Sequence, residues 1–170
     1  IIGRGWGQGP THSQNLQAWF AHVPGLKVVV PSFPKDAYGL LRASVADPNP
    51  VLFLEHRWLH NAAGDMAQDE LSGRIDKARI IRSGSDVTIC ATGLLSLEAM
   101  RAAQWLEQEG VSCEVIDLRT LNPIDWETTL TSVRRTRRLV VCDPAPATAS
   151  IASEIVATAT VELFDVLESA

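Results

Sequence analysis

Short apolar runs alternate along this chain with stretches in which apolar residues recur every three or four positions. Val28-Val29-Val30, Val87-Thr88-Ile89-Cys90-Ala91 and Leu139-Val140-Val141-Cys142 are near-continuous apolar runs. A strand takes that form when both faces of a parallel sheet are covered. Leu16, Trp19, Phe20 and Val23 instead fall at helical spacing, and Pro24-Gly25 stops the pattern. The first part of the chain therefore predicts a helix over 14–23, a strand over 26–30, a helix over about 35–46 and a strand over 51–55. Phe33-Pro34 marks the start of the second helix, with proline in the first turn. Residues 61–76 show no apolar period and read as a linker. From residue 77 the alternation returns: strand 86–92, helix 95–109, strand 112–118, helix 125–134, strand 138–142 and helix 150–160. Strands and helices taking turns with short connections predict an α/β fold of two parallel-sheet domains covered on both faces.

Glycine occupies every second position from Gly3 to Gly9, ahead of the first helix. Such a run favours neither helix nor strand and reads as a loop of close approach. Thr11 and Gln14 fit the capping pattern T-x-x-Q, which would place His12 in the first turn of the following helix. The positive end of a helix opposes protonation there, so a neutral, donor-capable imidazole is expected.

Composition changes this picture little. Of 170 residues, 46% are apolar, enough for a packed core, and the net charge of −5 gives no reason to expect nucleic acid. The arginines at 134, 135, 137 and 138 read as a solvated helix end. Cys90, Cys113 and Cys142 match no zinc spacing and each lies in or beside an apolar run, so they read as reduced core thiols of a cytoplasmic protein. No apolar run approaches a membrane span, and no signal peptide is visible. Both ends read as cut: Ile1-Ile2 as the tail of a strand, Leu163 onward as the start of an uncompleted element.

Thr11-His12-Ser13-Gln14, followed by Ala18-Trp19-Phe20-Ala21-His22-Val23-Pro24-Gly25-Leu26-Lys27-Val28-Val29, resembles the β subunit of thiamine-diphosphate-dependent 2-oxoacid dehydrogenases. That family includes pyruvate, branched-chain 2-oxoacid and acetoin dehydrogenases. The resemblance continues through Asp36-Ala37-Tyr38-Gly39-Leu40-Leu41, Asp47-Pro48-Asn49-Pro50-Val51 and Glu114-Val115-Ile116-Asp117-Leu118-Arg119-Thr120-Leu121. It covers nearly the whole chain and is weakest at 61–76 and 143–150. It implies that residues 1–60 are the second half of a transketolase-like pyrimidine-binding domain. Residues 61–76 would be a linker, and 77–170 most of a transketolase C-terminal-type domain.

The resemblance also implies roles. His12 stands where the family has an active-site histidine that stabilises thiamine-bound intermediates and delivers a proton in acyl transfer. The turn after the second helix stands where the family holds a structural potassium ion, largely through carbonyl oxygens; here that is Ser44, Val45, Asp47 and Asn49. Thiamine diphosphate and Mg²⁺ would serve the complete enzyme, but their binding residues fall largely outside this chain. The implied partners are an α subunit, a second β subunit and the lipoyl acyltransferase core. The chain should not be catalytic alone.

Two departures stand out. The family usually has tyrosine near His60, and its glycine-rich turn is replaced by Val141-Cys142-Asp143-Pro144-Ala145-Pro146. Neither His56 nor His60 has partners at a trustworthy metal-ligand spacing, and His22, Asp117, Arg119 and Thr120 read as structural. The competing readings are a non-enzymatic scaffold role for a degenerate relative, and a transketolase or deoxyxylulose-phosphate synthase. The Ala-Trp-Phe-Ala-His-Val-Pro-Gly-Leu-Lys string argues against the last two.

Overall fold

The structure is a computed structural model that describes residues 1–3, 5 and 7–168. Its strands form two sheets. In the first, β1 (Lys27–Val29) is central, with β2 (Val51–Phe53) parallel on one side and β6 (Thr120–Asn122) antiparallel on the other. The second has four strands. There β4 (Val87–Ala91) runs parallel to both β5 (Cys113–Asp117) and β7 (Leu139–Val141), and β3 (Arg79–Arg82) lies antiparallel on the β5 edge. The predicted parallel pairs are present, and each sheet also carries one antiparallel edge strand that the apolar pattern did not separate. Because β6 comes from the second half of the chain and pairs with β1, the two halves are joined by main-chain hydrogen bonds.

Alternation along the central strands sorts their side chains onto two faces. Val29 packs with Leu40 and Ile75, beneath α3 (Pro34–Ala46). Its neighbours Val28 and Val30 face a core shared with Cys90, Ile116 and Ile155 from the other half. In β4, Ile89 and Ala91 turn instead to α4 (Leu94–Gln108), meeting Ala99 and Ala103. Those two alanines sit four residues apart on one helix face, and their small side chains let α4 lie close against the sheet. Asp125 caps α5 (Trp126–Thr136) by accepting from the Thr128 N–H at 3.2 Å, and Ser150 caps α6 (Ile151–Glu162) by accepting from the Ser153 N–H at 3.0 Å.

The helix expected over 14–23 is corrected. Only α2 (Gln17–Ala21) falls within it, and a separate single turn, α1 (Gly9–His12), precedes it. Its apolar face is not turned inward either: Trp19 is 71% exposed and Val23 46%, whereas Asn15 and Gln17 are buried. The polar side of this stretch faces the junction of the two halves, and the apolar side is presented outward. Residues 61–76 contain no regular element beyond the end of a 3₁₀ turn (Arg57–Asn61), yet they are not a loose tether. Gly39 packs so closely on them that a Cβ there would meet the Ser72 carbonyl oxygen at 2.3 Å. Arg119, completely buried, donates to the carbonyls of Leu71 (2.6 Å), Ser72 (3.2 Å) and Lys77 (3.0 Å).

Asp117, at the end of β5, is fully buried. Ser32 and Ser96 both donate to its Oδ1, at 2.7 and 2.9 Å, while Oδ2 has no partner among the described residues. Burial pushes its pKa up from 3.8 to about 7 against the opposing pull of the two hydroxyls. A carboxyl whose folded pKa is raised binds its proton more tightly in the folded state. Its contribution to stability therefore falls as pH rises from about 4 to about 7 and is constant above that. Asp117→Asn keeps the Oδ1 acceptor and cannot ionise. Its stability advantage over the parent chain is expected to grow through that window and then level off, as read from urea midpoints at a series of pH values. A difference independent of pH would show that Asp117 stays charged.

Candidate functional site

The glycine loop holds its shape through backbone torsion. Gly5, Gly7 and Gly9 have φ of +85°, +78° and +63°, a region that side chains with a Cβ avoid. Among the described residues nothing lies within 4 Å of a Cβ built on any of the three. The expected close approach is therefore not to another described part of this chain. Arg4 and Trp6, which alternate with these glycines, lie outside the described residues.

The loop runs into α1, and here the expected cap is corrected. Gln8, not Thr11, is the N-cap; the Thr11 hydroxyl donates back to the Gln8 carbonyl at 3.3 Å. His12 is the last residue of this single turn, not part of a first turn. The argument from a positive helix end thus does not apply to it. Ser13 closes the turn: its N–H donates to the Gly9 carbonyl (3.1 Å), and its Oγ accepts from the Gln8 N–H (2.9 Å). His12 itself is exposed, and among the described residues its imidazole has no hydrogen-bond partner. It is a donor-capable side chain on an outward-facing, hydrogen-bonded turn.

The second predicted site lies at the C-terminal end of α3. Ser44 folds its hydroxyl back onto the Leu40 carbonyl at 2.7 Å, and Val45 is 82% exposed. Asp47 ends the helix in an extended conformation. Its carboxylate pairs with the Lys27 ammonium and accepts from both the backbone N–H and the Nδ2 of Asn49, each at 2.9 Å. Those bonds hold its pKa down to about 2, Lys27 contributing most. The Asn49 N–H is thus occupied by the Asp47 side chain, so it does not cap the last-turn carbonyls of α3. What this turn offers a cation is main-chain oxygen at a helix C-terminus, the donor set that suits a weakly hydrated monovalent ion. Among the described residues no group of three or more His, Cys, Asp or Glu side chains is arranged to hold a metal. The turn and His12 belong to different elements and share no lining residue of any cavity.

Other expectations can be placed. His22 is the C-cap of α2, its N–H donating to the Ala18 carbonyl at 3.1 Å. The three cysteines are free; Cys90 and Cys113 are buried, Cys142 is half-buried, and burial pushes the Cys90 thiol up to about 12. Arg134 and Arg135 end α5, while Arg137 and Arg138 pair with Glu168. The substituted turn at 142–146 is organised by Asp143. Its carboxylate accepts from the Ala145 N–H (2.9 Å), the Ala152 N–H (3.2 Å) and the Gln17 Nε2 (2.8 Å). One aspartate replaces what a glycine turn would do by torsion, and it also ties α2 to α6.

Sequence reasoning missed the burial of His56. It is 4% exposed, and its Nδ1 accepts from the Trp58 N–H at 3.2 Å. Burial first, and the neighbouring His60 second, lower its pKa. The only signal in the sequence was its place just past a strand end, where ligand-facing residues of α/β sheets collect.

Residues 76–170 match the family described as "Transketolase, C-terminal domain". The chain belongs to that family. Residues 3–61 match "Transketolase, pyrimidine binding domain". The chain is 44% identical over 162 residues to 2-oxoisovalerate dehydrogenase subunit beta 2, mitochondrial, of Arabidopsis thaliana, which covers 95% of this chain and 45% of that protein. It is 41% identical over 169 residues to the acetoin:2,6-dichlorophenolindophenol oxidoreductase subunit beta of Cupriavidus necator, covering 99% of this chain and 50% of the relative. It is 42% identical over 159 residues to the pyruvate dehydrogenase E1 component subunit beta of Rhizobium meliloti, covering 93% and 35%. The chain thus spans about half the length, or less, of these relatives. Among solved structures, a split-gene transketolase described as an inactive beta4 tetramer superposes with a TM-score of 0.77. It has 24% identity, covers 89% of this chain and 49% of its own, and shows the transketolase-like fold. Among the described residues no helix is long and apolar enough to cross a membrane.

Proposed function

We propose that the chain is a segment of the β subunit of a thiamine-diphosphate-dependent 2-oxoacid dehydrogenase. The complete enzyme would decarboxylate a 2-oxoacid oxidatively and pass the acyl group to lipoamide. The observation that carries this reading is His12: an exposed imidazole on a hydrogen-bonded turn after a glycine loop, in a chain whose relatives are β subunits of such enzymes. Its role is general acid or hydrogen-bond donor, with the proton held on a ring nitrogen and delivered to the group being transferred. In this reading residues 1–60 and 77–170 are parts of the two transketolase domains, 61–76 is their linker, and the compartment is cytoplasmic.

Thiamine diphosphate, when bound, supplies the electron sink for decarboxylation. The described residues do not complete its site. A pyrimidine site needs an available carboxylate against an apolar cradle. Asp117 has an unpartnered Oδ2 but lies in the part that matches the C-terminal domain, not the pyrimidine-binding one, and the other candidates are engaged or exposed. Glu55 is exposed, 3.9 Å from His60. Buried Glu114 is held by Ser132 and Arg135, and Asp36 by Arg79 and Arg119. The pyrimidine carboxylate, the diphosphate site and Mg²⁺ are therefore assigned outside this chain, the latter two to an α subunit.

The exposed apolar residues support the proposed α and second β partners and a docking lipoyl acyltransferase core. Trp19 is 71% exposed on α2, and Val161 and Phe164, on and just past α6, are 78% and 80% exposed. Large apolar side chains this exposed are what an association surface would cover. The purified chain is expected to self-associate, or to need an α subunit to stay soluble. With thiamine diphosphate and Mg²⁺ it is expected to show no 2-oxoacid decarboxylation. Sedimentation velocity and an assay of carbon dioxide release check this. A stable monomer at micromolar concentration, or turnover by the chain alone, would refute the segment reading.

Potassium is proposed at the carbonyls of Ser44, Val45, Asp47 and Asn49. Replacing sodium by potassium at constant ionic strength is expected to raise the melting temperature saturably, as mass action requires for a ligand of the folded state. Asp47→Ala, which frees the turn, is expected to abolish the difference. Equal melting in the two salts would remove potassium from the account.

A further inference from the structure

The two halves of the molecule meet around a cavity of about 300 Å³ at the C-terminal ends of their parallel strands. Val30 follows β1, Thr92 and Gly93 follow β4, and Asp143 and Pro144 follow β7. This is the edge where open α/β sheets receive ligands. The volume is at the small end for ligand sites and suits a small molecule. Much of the wall is aliphatic, from Ile2, Val30, Leu94 and Leu95.

Three polar features in that wall are unsatisfied in complementary senses. The first is the start of α4, a helix of 15 residues with no side-chain cap and no acidic residue in its first turn. The N–H groups of Leu95 and Ser96 fold back to the carbonyls of Thr92 and Gly93, each at 3.2 Å. The helix's positive end and the Leu94 N–H remain open to an anion. The second is a pair of amides. Asn15 and Gln17 line the cavity, are 4% and 1% exposed, and each has a side-chain oxygen with no hydrogen-bond partner among the described residues. These are acceptors waiting for a donor, beside the Asp143 carboxylate to which Gln17 is bonded. The third is His56. Its Nδ1 is occupied as an acceptor, so the proton resides on Nε2, and burial favours the uncharged ring. It is a neutral donor in the same wall.

We propose that this cavity binds a small aliphatic 2-amino acid. Its carboxylate sits on the first turn of α4 and the His56 ring, and its ammonium among Asn15, Gln17 and Asp143. Its side chain lies against the aliphatic wall. A bare anion would leave the amide oxygens unpaired, and a bare amine would leave the helix end unmet; a zwitterion satisfies both. The site is separate from His12 and does not depend on the activity proposed above.

Calorimetric titration with L-valine and L-leucine of the complete β subunit that contains this chain, assembled with its α partner, is the test. Isovalerate, which lacks the ammonium, and isobutylamine, which lacks the carboxylate, serve as comparisons. One of the amino acids is expected to bind saturably at one site per chain, and both truncated analogues about tenfold or more weakly, since each loses charge-assisted hydrogen bonds. Asn15→Leu removes an unpaired acceptor, and His56→Asn keeps an acceptor for the Trp58 N–H. Each is expected to weaken the amino acid by a similar factor. No saturable binding of either amino acid, equal binding of either analogue, or binding unchanged in a folded variant would each overturn the proposal. If neither variant folds, the analogue series with the parent chain decides it.

Discussion

In a complete β subunit assembled with its α partner, His12→Ala is expected to slow acyl transfer to lipoamide by about 10²–10⁴-fold, the usual loss when a positioned proton donor is removed. Assembly and folding should be nearly untouched. His12 is exposed, ends a single helical turn and contributes nothing to the buried clusters. The appropriate control is Ser13→Ala. The Ser13 hydroxyl accepts the Gln8 N–H and so holds the turn that presents His12. Its loss should lower stability by about 1 kcal/mol with a much smaller change in chemistry. Thr11→Ala should do less still, because the Thr11 hydroxyl is an exposed donor to the Gln8 carbonyl and not a cap. Single-turnover acyl transfer, normalised to folded heterotetramer, separates these outcomes. If His12→Ala lowers the melting temperature and leaves transfer at the parental rate, His12 is a structural residue.

The parallel strands were legible because their environment leaves a direct mark. Val28-Val29-Val30 can be apolar throughout only where both faces are covered, and Val29 and Val28 do meet different layers. The edge strands left no such mark. β3 reads Arg-Ile-Ile-Arg, with a register shift between Ile80 and Arg82, and β6 is three residues long. Strands that short and irregular are set by the partner they pair with, and no local pattern encodes it. The segment 14–23 misled for a different reason. Its helical periodicity is real, but Trp19 and Val23 point away from this chain's own core, so the pattern describes a surface and not burial. The glycine loop and the Thr-His-Ser-Gln string were visible as sequence. The cavity lined by Asn15, Gln17 and His56 was not, because its walls come from six separate segments brought together only by the fold.

Arg119 carries the largest expected effect on stability, and its sequence context gave no hint of its burial. Arg119→Met is expected to destabilise the chain by about 3–5 kcal/mol, the range seen when one partner of a buried ionic network is removed. The reason lies in what is left behind. Arg119 has no exposed surface, and its guanidinium serves the carbonyls of Leu71, Ser72 and Lys77 and lies 3.2 Å from the Asp36 carboxylate. Methionine fills a similar volume, so packing loss is small. The three carbonyls lose their shared donor, and Asp36 keeps only Arg79, which it shares with Asp69. Both Asp36 and the 71–78 segment are thereby loosened, and with them the ionic link between α3 and the residues that follow β5. Arg119→Lys retains the charge, but a single ammonium on a shorter reach does not match the guanidinium fork, so most of the loss should persist. Arg74→Ala is the comparison. Its bidentate pair with Asp76, at 2.7 and 2.8 Å, is at the surface and screened by solvent, so its loss should change stability little. Urea midpoints of the three variants give the order. If Arg119→Met unfolds no more easily than Arg74→Ala, the buried guanidinium is not what fastens residues 71–78 to the second sheet.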